Sequence, residues 1–131
     1  MTTQPSKFKH GEITNKIIQA FYEVYNELGI GFEKEVYINS LAILVSKKDL
    51  ALKKNQKIEV EYKGEQVGYT LVDLIVEEKV LVAVFRDKRI EDYNEQIIFN
   101  QLRASKFEVG LVLNFGINPE FIRKEPANRI N

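Results

Sequence analysis

The sequence predicts an α/β fold, a mixed β-sheet flanked by helices, on three observations. Apolar residues recur at helical spacing through the first part of the chain. The period then changes to alternation, and a further helical pattern separates these strands from one more apolar strand.

The elements follow in order. Ile13, Ile17, Phe21, Val24 and Leu28 mark a first helix, and Gly29 supplies its left-handed stop. After the turn GIG at 29–31, Tyr37, Leu41, Leu44 and Val45 mark a second helix ending near Lys48. IEVEY at 58–62 alternates as a strand, KGEQ turns, and VGYTLVDLIV at 67–76 continues as a long strand into a hairpin. Ile97, Ile98, Leu102 and Tyr93 set out a third helix, and FEVGLVLNF at 107–115 reads as a buried strand. The tail, 119–131, offers a short edge strand around Phe121 to Arg123 or near Arg129. Residues 1–11 are a polar N-terminal segment, and with no repeat or low-complexity linker the expectation is one domain over 1–131.

Composition removes several function classes. At 131 residues and 44% hydrophobic, the chain suits one core. No apolar run reaches membrane-spanning length, and MTTQPSKFKH lacks the apolar region of a signal peptide, so a cytoplasmic protein without membrane contact is expected. The absence of cysteine excludes disulfides, thiolate metal sites and cysteine nucleophiles. A lone histidine, His10, is untenable as a metal cluster or triad and is expected to be a solvated bystander. With 19 basic and 19 acidic residues there is no global field, so contact with nucleic acid would be local. Lys47, Lys48, Lys53, Lys54 and Lys57 are the densest basic segment, with the first four read either as a nucleic-acid surface or as lysines that complement a helix end and solvate a loop.

One carboxylate, Asp73, lies among apolar residues of the hairpin LVDLIVEEKVLVAVF. A buried charge without a partner is costly, so such a residue is normally hydrogen-bonded, held by a cation or part of a site. A three-residue loop at 77–79 sets Asp73 opposite Ala83, and alternation then puts Phe85 on the same side.

This order of elements, with LGIGFEKEVY, the lone aspartate between paired strands, VLVAVF, a helix carrying Gln96, and VGLVLNFG, resembles the small bacterial proteins named for a GxxExxY motif, within the PD-(D/E)XK nuclease superfamily. The resemblance runs from about Ile13 to about Asn118. It implies a restriction-endonuclease-like core. Gly31 and Tyr37 match the ends of the motif, Asp73 the metal-binding aspartate, Gln96 a glutamine on the helix after the hairpin, and Asn114 with Phe115 the end of the last core strand. The departures fall on the ionic residues. Lys34 stands at the glutamate position, between Glu33 and Glu35, and Ala83 and Phe85 stand where an acid and a lysine are expected. Such nucleases need two carboxylates for a divalent cation and a lysine beside the attacking water. Alanine cannot ligate a metal, and phenylalanine cannot polarise water.

The resemblance therefore implies a degenerate member with a remnant site of Asp73 and Gln96. Asp73 is read as a structural acceptor, as an ion-pair partner of Lys34, or as a residual metal ligand. Gln96 either holds a backbone or phosphate or packs on a helix face. No cofactor is expected, with Mg²⁺ or Mn²⁺ required only if the protein cleaves. Three functions stay open: a non-catalytic domain with a binding or regulatory role on nucleic acid or protein, a metal-dependent nuclease with relocated groups such as Asp87 with Arg89, Glu33 or Glu35, and a protein-interaction or homo-oligomeric assembly module in which an exposed sheet edge or the apolar strand face buries against another chain.

Overall fold

The computed structural model describes residues 9–126 and 128–130. Helices α1 (Gly11–Leu28) and α2 (Lys34–Lys47) precede strands β1 (Leu52–Tyr62), β2 (Glu65–Val76) and β3 (Val80–Phe85), followed by α3 (Asp92–Arg103), β4 (Val109–Phe115) and β5 (Pro119–Lys124). The strands form one sheet in the order β1-β2-β3-β4-β5. Among the described residues only β3 and β4 run parallel, because α3 crosses between them while the other strand connections are tight turns. No helix among the described residues is long and apolar enough to cross a membrane.

The helices divide the core between the two faces of the sheet. Ile17, Phe21 and Val24 of α1 and Tyr37, Leu41 and Val45 of α2 pack with Leu74, Val82, Leu111 and Phe115 on one face. On the other, Ile98 and Leu102 of α3 pack with Val72, Ile75, Leu81, Ala83 and Val112. Strand β4, covered on both faces, is buried along its whole length, which explains its continuous apolar run. Gly110 admits α3 close to it: a Cβ there would stand 2.6 Å from Ile98 Cγ1. The tail contributes β5, an edge strand spanning both Phe121 and Arg123.

Helix α3 presents a different face from the one its apolar residues suggest. Asn94, Ile98, Gln101 and Leu102 are buried, whereas Tyr93 and Ile97 are exposed. The two buried amides are tolerated because each is hydrogen-bonded, Asn94 within the helix cap and Gln101 to β2. His10 is likewise no bystander: its carbonyl accepts from the Ile13 and Thr14 amides at the start of α1, and its ring lies 3.6 Å from Glu108.

The β2–β3 hairpin turns at 77–79 with Leu74 opposite Val82, Ile75 opposite Leu81 and Val76 opposite Val80, the register expected from the loop length. The ladder stops before Asp73. Leu74 and Val76 enter the α1/α2 core and Ile75 the α3 core, yet Val72 also enters the α3 core. Alternation thus breaks at Asp73. On the neighbouring strand, the ladder skips Asn55 between Lys54 and Gln56, and Asn55 has a left-handed backbone (φ 54°). Simple alternation, which set Asp73 on one face with Ala83 and Phe85, therefore does not run through Asp73, although the register beneath it is right.

Candidate functional site

The loop between α1 and α2 delivers residue 34 to the hairpin. Gly29 ends α1 with its amide donating to Tyr25 O, and Gly31 (φ 104°) keeps the chain in a conformation that disfavours a side chain. The buried Tyr37 hydroxyl donates to Gly29 O at 2.6 Å and accepts from the Phe32 amide at 3.3 Å. Its ring stacks on Phe115, with centroids 4.0 Å apart. Arg86 at the end of β3 donates to Phe32 O at 2.7 Å. These contacts fix the start of α2.

Lys34 Nζ consequently lies 3.1 Å from Asp73 Oδ1, and the other carboxylate oxygen accepts from the Val84 amide at 2.7 Å. The break in β2 leaves that amide facing a side chain where the ladder would otherwise supply a carbonyl. The Lys34 side chain is 46% exposed and that of Asp73 only 14%, so the pair reaches from the sheet to water. The same ammonium stands 5.6 Å from the centre of the Phe85 ring. Three positions that the sequence singled out, 34, 73 and 85, thus meet at one corner. Ala83 lies nearby in sequence but is buried in the α3 core.

Gln96 is elsewhere. It is exposed on the outer side of α3 and donates to Asn100 Oδ1 at 2.9 Å, beside Asp92, Glu95 and Lys124. Gln101 instead reaches the sheet: Nε2 donates to Thr70 Oγ1 at 3.0 Å and Leu71 O at 2.8 Å, while its buried Oε1 has no hydrogen-bond partner among the described residues. Its position one turn from Ile98 was the available sequence signal, and its polarity hid it.

The relocated acids are committed differently. Glu33 and Glu35 are exposed. Asp87 accepts from the Tyr93 hydroxyl and from Asn94 Nδ2, and its backbone exchanges two hydrogen bonds with Asn114. The hydrogen bond to the Asp87 carboxylate raises the Tyr93 pKa, with desolvation adding to it. Asp87 thus ties the start of α3 to β4.

The basic segment is not one surface. Lys53 pairs with Glu78 at 2.8 Å, Lys54 donates to Asn39 on α2, and Lys48 reaches Gln19 on α1. Lys53 and Lys54, adjacent on a strand, extend to opposite sides.

The residues do not fit the divalent cation of such nucleases. Asp73 is already bonded by an ammonium and an amide, Ala83 offers no donor atom, and no group of three or more metal-binding side chains occurs among the described residues.

A mixed sheet with two helices on one face, a crossover helix on the other and a charged corner at the central hairpin has the restriction-endonuclease-like arrangement. A sequence model of the PD-(D/E)XK nuclease superfamily matches residues 11–125, and the chain belongs to that superfamily. Among solved structures it is similar to the crystal structure of SSO0001, with a TM-score of 0.53 and 14% identity over 91% of this chain and 61% of that one. The chain thus spans about three fifths of that protein, and the likeness concerns the fold alone. No curated protein matches the sequence.

Proposed function

We propose that this protein is a degenerate GxxExxY-type member of the superfamily, a cytoplasmic domain that binds a partner without cleaving phosphodiesters. The observation that carries this reading is the Lys34–Asp73 pair. A metal-dependent nuclease needs two carboxylates around a hard cation and a polar group on the attacking water. Here the cation beside the aspartate is a lysine side chain, and positions 83 and 85 carry a methyl and a phenyl group. The corner can bind, orient and stack, but it has no group to activate water.

A protein partner suits the surroundings better than a phosphate backbone. The ammonium is paired, the Phe85 ring beneath it meets the exposed Tyr93 ring with centroids 6.4 Å apart, and Lys48, Lys53 and Lys54 are divided among separate contacts.

The test is incubation of the purified protein with Mg²⁺ or Mn²⁺ and single- and double-stranded DNA and RNA. The expected result is no divalent-dependent cleavage above buffer. Turnover that disappears in Asp73→Ala would overturn the reading. Salt-dependent retention on DNA would replace the protein partner with nucleic acid.

A further inference from the structure

Helix α2 has little polar surface. From Val36 to Ser46 it carries no charged residue, in a chain that is 29% charged. Its inner side enters the core through Tyr37, Leu41 and Val45, and a helix that covers a core on one side normally turns charge to the other. Here the other side carries Val36, Ser40 and Ile43, whose spacing of four and three aligns them, and Val36 and Ile43 are 36% and 58% exposed. Ser40 Oγ donates to Val36 O at 2.7 Å, so its polar atom is satisfied within the helix.

Beside this stripe lies a groove. Helices α1 and α2 pack antiparallel, with Tyr37 bonded to Gly29 O at one end and Lys48 reaching Gln19 at the other. Between them Val24, Leu28, Ser40, Ile43 and Leu44 line a shallow, mostly apolar groove, and Glu27 stands at its rim. Glu27 falls in the last turn of α1, where the helix dipole disfavours a carboxylate and no basic residue offsets it. Glu23, one turn earlier, and Glu33, at the start of α2, are exposed, and none of these three acids has an ion-pair partner among the described residues. Lys34 is held by Asp73 and Lys48 by Gln19, which leaves Lys47 at the far end of α2.

We propose that this groove docks an amphipathic helix of a partner protein, one that lays apolar side chains over Val36, Ile43 and Leu44 and sets lysine or arginine beside Glu23, Glu27 and Glu33. Val36 and Ile43 stand about 10.5 Å apart along α2, two turns, which matches anchors at i, i+3 or i+4 and i+7 on the incoming helix. A cation from the partner supplies what the end of α1 lacks. A second copy suits the groove less well: its own α2, laid antiparallel about Ser40, would bring Glu27 at the rim towards its equivalent. The inference rests on the reading of the chain as a partner-binding domain and names the chemistry of that partner.

The probe is a synthetic peptide of about 15 residues with leucine at i, i+3, i+4 and i+7 and lysine on the flanks, beside a control with glutamate in place of lysine. In fluorescence anisotropy, the lysine peptide is expected to bind the protein saturably and the control about tenfold more weakly. Ile43→Ser is expected to weaken the lysine peptide about tenfold with an unchanged circular dichroism spectrum, and Ile43→Leu to preserve it. Glu27→Gln is expected to lower both the affinity and its salt dependence. No saturable binding, equal binding of the two peptides, or binding that Ile43→Ser leaves intact overturns the proposal. A dimer in sedimentation that Ile43→Ser dissociates overturns it as well, because a second copy is then the occupant. Divalent-dependent cleavage is read without either peptide, so failure of the non-catalytic reading and failure of this one are told apart.

Discussion

Lys34 and Asp73 share their ion pair unequally between water and protein. Lys34 can be solvated when the pair breaks, whereas Asp73 is largely enclosed and also serves the Val84 amide. Lys34→Met is therefore expected to lower stability by about 1 kcal/mol, a loss that shrinks in high salt. Asp73→Ala also strands the Val84 amide and should cost about 2–3 kcal/mol. Denaturant melts of the two variants and their double mutant measure the coupling; an additive double mutant would show that the pair contributes nothing. The Tyr37 hydroxyl is a second single-atom test. Tyr37→Phe keeps the stack on Phe115 but leaves Gly29 O and the Phe32 amide without it, and a loss of about 1–2 kcal/mol is expected in the same melts. At Tyr93 the effect is on titration. The Asp87 hydrogen bond favours the protonated phenol, so its ionisation should move above the ordinary tyrosine range, and the stabilisation is present below the unfolded-state pKa and lost as pH rises through the raised one. Ultraviolet titration should show a high-pH tyrosine component that disappears in Tyr93→Phe.

At the scale of elements, the packing of α3 on β4 makes a sharp prediction. Gly110→Ala would drive a methyl into Ile98 and Leu102, both buried, so α3 must lift or the core must strain, at about 1–3 kcal/mol. Adding Ile98→Val removes part of the obstruction and should recover some of that loss; no recovery in thermal melts would show that the helix does not rest on Gly110. The same elements show how far the sequence could be read. The hairpin register was legible because a three-residue loop leaves little choice of pairing. The side taken by Asp73 was not, because alternation assumes a regular strand, and the left-handed backbone at Asn55 marks where β1 and β2 depart from one. On α3, counting apolar residues turned Ile97 inward, and the family resemblance singled out Gln96. Hydrogen bonds instead paid for burying Asn94 and Gln101, a compensation visible only when their partners on the cap and on β2 are in place. The meeting of residues 34, 73 and 85 was accessible from the order of motifs, whereas the Val84 amide was not, since the break in the ladder is what exposes it.

Over the whole molecule, the sheet joins two kinds of pairing. β1 and β2 are joined through a two-residue turn, Lys63–Gly64, so their ladder can form from neighbouring chain. β3 and β4 find each other only across α3, with Val80 paired to Val109, and that pairing carries the larger entropy of closing a long segment. The outer half of the β1–β2 ribbon meets the rest through contacts that include Ile58, Val60, Val72 and the Gln101 bonds, while β3 and β4 are enclosed on both faces. The molecule should consequently not open all at once. In native-state hydrogen exchange, backbone amides of β1 and β2 beyond the Asn55–Asp73 break are expected to exchange together, at a lower free energy than those of β3 and β4. The break that frees one carboxylate from the ladder would then also be a boundary between two cooperative units, and exchange of both halves at one common free energy would show that it is not.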